Sequence, residues 1–142
     1  MKLCIINGPN LNFLGIREPE IYGYETLQDI EKDLKIYADK NDIELTFFQS
    51  NHEGAIVDQL QKCHHEQFDG IIINPGALSH TSYVLADAIK SIKIKVIEVH
   101  ISNIYKRESF RAHSVTAASS EGVISGLGTK GYKLAMAYFT KL

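Results

Sequence analysis

Three stretches bring together residue types able to move protons or hold an anion. Glu98 and His100 stand two apart in EVHISN, Ser79, His80, Thr81 and Ser82 fall within NPGALSHTS, and Arg17 and Tyr22 lie in NGPNLNFLGIREPEIYG. An imidazole with a reference pKa of ~6.5 can hold or release a proton near neutrality. The backbone amides after His100 could hold an anion, because free N–H groups clustered at a sheet end make a carboxylate or phosphate site. Arg111 lies shortly downstream. Taken singly, each of these residues also has a plainer reading. Tyr22, or its neighbour Tyr24, could be a packed aromatic, Arg17 a solvated charge and His100 a satisfied structural histidine beside Glu98. Asn7 and Asn74 could simply close turns, as could Asn12 and Ser102. His80 and Arg111 could be ordinary loop residues, and Asp87 a solvated charge on a helix.

Positioning these groups requires a scaffold, and the pattern supplies one. Short β-rich apolar runs alternate with helix-length amphipathic segments, as in a parallel sheet covered on both faces. The strand-like runs are KLCIIN, ELTFFQ, GIIIN, KVIEVH and EGVISG. Thr26 can cap a helix running to about Asn41, with Asp29 in a capping-box position. Further helices are expected from Gly54 to about His65, over TSYVLADAIKS, and over TKGYKLAMAYFTKL. The expected fold is α/β, a flavodoxin-like three-layer sandwich whose five parallel strands run in the order 2-1-3-4-5. Asn7, Asn74 and His100 then stand at strand carboxyl ends, where open α/β sheets hold ligands beside the reversal of strand order. Residues 7–23 form a connection well beyond the usual 4 to 6 residues. Its Phe13, Leu14, Ile16, Ile21 and Tyr22 argue against a linker, since they can pack down.

With 142 residues, 44% of them hydrophobic and 23% charged, the chain reads as one domain over 1–142. Fifteen basic and 17 acidic residues are interspersed to a net charge of −2, without the basic stripe of a nucleic-acid binder. Cys4 and Cys63 read as small buried hydrophobes in a reducing compartment. MKLCIING is too short an apolar run for a signal peptide, and no window reaches the ~20 apolar residues of a membrane span. A soluble, cytoplasmic protein without membrane or nucleic-acid partners is expected. His52, His64, His65 and His113 show no metal-ligand spacing. GLGTKG, Gly126 to Gly131, mimics a dinucleotide fingerprint, but only 11 residues follow where a strand and an acidic residue ~20 positions on are needed.

Together NGPNLNFLGIREPEIYG, NHEG, NPGALSHTS, EVHISN, RESFRAHS and the GYKLAM of the last helix resemble type II 3-dehydroquinate dehydratase over essentially the whole chain. The resemblance implies loss of water from 3-dehydroquinate to give 3-dehydroshikimate, in the shikimate route to aromatic amino acids. It implies an anti elimination through an enolate, with a small-molecule substrate and neither metal nor cofactor. Tyr22 would be the base, and Arg17 the cation that makes its phenol acidic enough. His100 would protonate the departing hydroxyl, oriented by Glu98 and Asn74, and Asn12 would hold a water against the enolate oxygen. Ile101 and Ser102 would receive the substrate carboxylate through their amides, Asn74 would also bind the substrate, and His80, Arg111 and Asp87 would contact its hydroxyls. Residues 13–24 would be a lid, bending at Gly15 and Gly23, that excludes water on closing. The resemblance further implies trimers arranged into dodecamers, with Asp87 reaching a neighbour's site. Phe13, Leu78 and Ser79 depart from the family's commoner residues and bear on lid packing. Two other classes compete on strand order alone. A receiver-like module would need acidic groups where Asn7 and Asn74 stand, and a flavin- or nucleotide-binding module would use the glycines near residue 126.

Overall fold

The computed structural model describes residues 1–140. Five strands, β1 (Lys2–Asn7), β2 (Glu44–Gln49), β3 (Gly70–Asn74), β4 (Val96–His100) and β5 (Gly122–Ser125), form one parallel sheet in the order β2-β1-β3-β4-β5. This is the expected flavodoxin-like order. In the register Asn7 pairs with Asn74, so the two polar strand ends meet at the reversal point.

Alternation along the strands divides the core into two layers. Leu3, Ile5 and Ile72 enter one cluster with residues of α2 (Leu27–Lys40) and α6 (Lys130–Phe139). Cys4, Ile6, Ile71 and Ile73 enter the other with α3 (Glu53–His65) and α5 (Tyr83–Ser91). The triple isoleucine of β3 is therefore split between faces, which is why a central strand shows an unbroken apolar run. Cys4 and Cys63 are buried free thiols with no disulfide between them. Among the described residues, no helix is long and apolar enough to cross a membrane.

Helix starts follow side-chain chemistry. Thr26 Oγ1 accepts the Asp29 N–H at 3.1 Å while Asp29 Oδ2 accepts the Thr26 N–H at 3.0 Å, the capping box expected at α2. The helix expected over residues 81–91 is divided. A single turn, α4 (Leu78–Thr81), stops at Ser82, whose extended backbone and Oγ, accepting the Leu85 N–H at 2.9 Å, start α5 afresh. Residues 7–23 are likewise more regular than expected. A 3-10 turn at Leu11–Phe13 is followed by one helical turn, α1 (Pro19–Tyr22), opened by a proline that needs no amide partner there. Gly15 and Gly23, with φ of 87° and 83°, bound the segment between them in backbone that other residues rarely adopt. The glycines of GLGTKG serve packing. A Cβ on Gly131 would lie 3.2 Å from Val99 and 3.4 Å from Ile124, so α6 sits directly on β4 and β5. Lys141 and Leu142, the end of the expected closing helix, lie outside the described residues.

Candidate active site

A crevice opens at the carboxyl edge of the sheet, beneath α1 and the turn before it. Arg17, Tyr22, Asn74, His80, His100, Ile101, Ser102 and Arg111 all line it. Tyr22 packs partly onto the core, at the rim facing the strand ends. Glu98 lies behind His100, wholly buried. Asn12 and Asp87 stand apart. The exposed Asn12 turns its Oδ1 to Gln49 Nε2 at 3.4 Å, and Asp87 is exposed on α5.

On the strand side each ring is held by a protein partner at one nitrogen. His100 Nε2 donates to Glu98 Oε2 at 3.0 Å, leaving Nδ1 for a ligand. Ser114 donates to the same oxygen at 2.9 Å, and Thr116 donates to Glu98 Oε1. Burial alone would raise the Glu98 carboxyl, but the hydrogen bonds from His100 and Thr116, the imidazole charge and Ser114 outweigh it. They hold the group below the usual carboxylate range. Glu98 is therefore an anion that fixes the ring tautomer and can stabilise an imidazolium. His80 stacks on His100 with centroids 6.4 Å apart. Its Nδ1 donates to the His113 carbonyl at 2.8 Å, which leaves Nε2 free to accept from a ligand.

On the loop side two guanidinium groups flank one phenol. Arg17 and Arg107 lie 5.2 Å and 5.1 Å from the Tyr22 ring centroid, both within cation–π range. Arg107 Nη1 also donates to the Tyr22 hydroxyl at 2.6 Å and to Ser102 Oγ at 3.3 Å. The sequence reading gave Arg107 no role. It sits in a polar, irregular segment that carries Lys106 and Arg111 as well, and no periodicity singles it out. The available signal was its place between the anion turn at Ser102 and the expected ligand contact at Arg111. Arg111 itself is held at its Nε by Glu108 Oε2 at 2.6 Å and lies over the Phe110 ring.

The arrangement sets a phenol oxygen bonded to a cation in the same crevice as an imidazole backed by a carboxylate. That pairing suits removal of a proton on one side of a ligand and delivery of one on the other. Among the described residues no group of three His, Cys, Asp or Glu side chains is placed to hold a metal ion.

The family model described as Dehydroquinase class II matches residues 1–140. The 3-dehydroquinate dehydratase of Bacillus pumilus is 58% identical over 134 residues, which is 94% of this chain and 90% of that protein. The type II dehydroquinase structure from Butyrivibrio crossotus matches with a TM-score of 0.98 at 49% identity, covering 99% of this chain and 98% of that one. The corresponding structure from Propionibacterium acnes gives 0.93 at 39% identity, covering 96% and 94%.

Proposed function

The chain belongs to the class II dehydroquinase family, and from that membership we propose that its crevice dehydrates 3-dehydroquinate to 3-dehydroshikimate. The protein is a hydro-lyase of the shikimate pathway. The observation that carries the reading of the site is that Tyr22, from α1, and His100, at the end of β4, line one crevice.

In the proposed sequence the Tyr22 oxygen, as phenolate, takes a proton from the carbon beside the ketone. The C–H electron pair forms the enolate, whose collapse expels the hydroxyl on the neighbouring carbon. His100 Nδ1–H delivers a proton to that leaving group, giving water and the conjugated enone. Tyr22 ends protonated and His100 neutral, so one proton must pass from the former to the latter before the next turnover. Arg107 and Arg17 are the cations available to the phenolate, Arg107 through its 2.6 Å hydrogen bond. Ile101 and Ser102, just past β4, receive the substrate carboxylate, and His80 and Arg111 meet its hydroxyls.

Asn12, whose Oδ1 accepts from Gln49 Nε2 at 3.4 Å, would hold a water beside the enolate oxygen. Gly15 and Gly23, both at positive φ, are the bending points for a lid over about residues 13–24. Asp87 lies outside its own chain's crevice, which fits the reading that it serves a neighbouring subunit in a trimer-based dodecamer. Sedimentation of the purified protein tests that assembly.

Absorbance of the enone, followed with purified protein and 3-dehydroquinate, tests the function directly. Turnover that persists in chelator and collapses in Tyr22→Phe is expected. Wild-type protein that forms no enone would overturn the reading.

A further inference from the structure

Tyr132, in the GYKLAM stretch, takes no part in the proposed proton transfers, yet it is wholly buried beneath the strand ends that carry them. The close seat of Gly131 on β4 and β5 brings the Tyr132 ring under the sheet, and its hydroxyl ends between β1 and β3. There it donates to Asn7 Oδ1 at 2.5 Å and accepts from Asn74 Nδ2 at 3.0 Å. Burial pushes this phenol up from its ordinary value, so it remains an O–H donor.

Both ends of the Asn74 amide are thereby specified. Asn74 Oδ1 accepts the Gly76 N–H at 3.1 Å, and one hydrogen on Nδ2 goes to Tyr132. The second hydrogen on Nδ2 remains for the crevice that Asn74 lines. Rotating the amide by half a turn would set its carbonyl oxygen against a hydroxyl whose proton is committed to Asn7, and its NH2 against an N–H. Both contacts are donor to donor or acceptor to acceptor, and the Asn74 amide and Tyr132 hydroxyl are buried. The backbone strengthens the same junction. Gly8 donates its N–H to the Asn74 carbonyl at 2.8 Å, and a Cβ on Gly8 would stand 2.4 Å from the Pro75 oxygen.

We propose that Tyr132 is a positioning residue that fixes the orientation of the Asn74 amide, so that Asn74 presents an N–H and never its carbonyl to a substrate oxygen. This deepens, and rests on, the dehydration reading. Asn74 meets the substrate and Tyr132 acts only through it.

A double-mutant cycle on kcat/KM tests this with Tyr132→Phe, Asn74→Ala and the double variant, with Tm recorded for each. Tyr132→Phe alone should lower kcat/KM about tenfold, the size of one misplaced neutral hydrogen bond. In the Asn74→Ala background it should lower kcat/KM no further. Equal losses in both backgrounds, or a fall in Tm with kcat/KM unchanged, would overturn the proposal. Should Tyr132→Phe fail to fold, Asn7→Ala decides. The freed hydroxyl then turns its proton toward Asn74 and favours the flipped amide, so the same Asn74-dependent loss is expected and its absence overturns the idea. Wild-type protein inactive on 3-dehydroquinate would refute the dehydration reading itself, whereas active wild type with an additive cycle refutes this inference alone.

Discussion

The two sides of the crevice are held in different ways. On the strand side every polar atom that orients His100 or Asn74 has a protein partner, and Glu98, Thr116 and Tyr132 are wholly buried. On the loop side the Tyr22 hydroxyl has one hydrogen-bond partner among the described residues, Arg107, and Arg17, besides lying over the Tyr22 ring, makes a half-exposed ion pair with its neighbour Glu18 at 3.6 Å. Such an exposed pair contributes little. His100 is thus preorganised by the sheet, while Tyr22 depends on a short turn of chain and two long cationic side chains. The difference teaches that one site can separate precision from access. The group that needs a fixed tautomer sits on strands, and the group that must admit substrate sits on a loop.

Removing Tyr22 or His100, the groups proposed to move protons, tests that contrast most strongly. Tyr22→Phe and His100→Ala should both lower kcat by at least ~10²-fold. Only His100→Ala should also lower Tm, by an amount corresponding to about 3 kcal/mol, because it leaves the buried Glu98 anion short of a partner. Equal melting temperatures for the two variants would erase the distinction. On the loop side, Arg17→Ala should cost ~10²-fold in kcat and Arg107→Ala at least as much, since Arg107 bonds the phenol directly. A near-normal Arg107→Ala enzyme would return the cationic role to Arg17 alone.

Acid titration of stability distinguishes the sides more gently. Glu98 has a folded value below its ordinary 4.5, so its contribution is fully present above that value and is lost as pH falls below it toward the folded value. Denaturant midpoints of the wild type should fall in that window, and Glu98→Gln should flatten the fall. The smallest effect is expected at the capping box that follows the loop. Thr26→Ala should cost about 1 kcal/mol by denaturant titration and leave kcat unchanged. Altered turnover there would mean that the helix start also controls the loop before it.

Legibility in the sequence follows the same division. The strands and their order were readable because β1, β3 and β4 are buried on both faces, and nothing but long apolar runs with polar ends satisfies that. Glu98 and His100 shared a strand end, so their alliance was open to a local reading. Tyr22 and Arg17 were placed by family resemblance, since a loop tyrosine and arginine carry no pattern of their own. Arg107 escaped because its partner lies 85 residues away and no spacing rule links them. The break at Ser82 escaped because a cap and a mid-helix serine look alike until the backbone chooses between them. Asn12 was assigned to the crevice by resemblance, yet its side chain answers to Gln49 on β2 in this conformation.

The contact between Gly8 and Pro75 also bears on redesign of the enzyme. With backbone against backbone at the floor of the crevice, no larger residue can be introduced at position 8 without spreading the first and third strands. Attempts to recut the shape of the cavity for bulkier or smaller ligands must therefore work from exposed lining positions such as Asn10 and Ala77, where substitutions meet solvent and not the sheet.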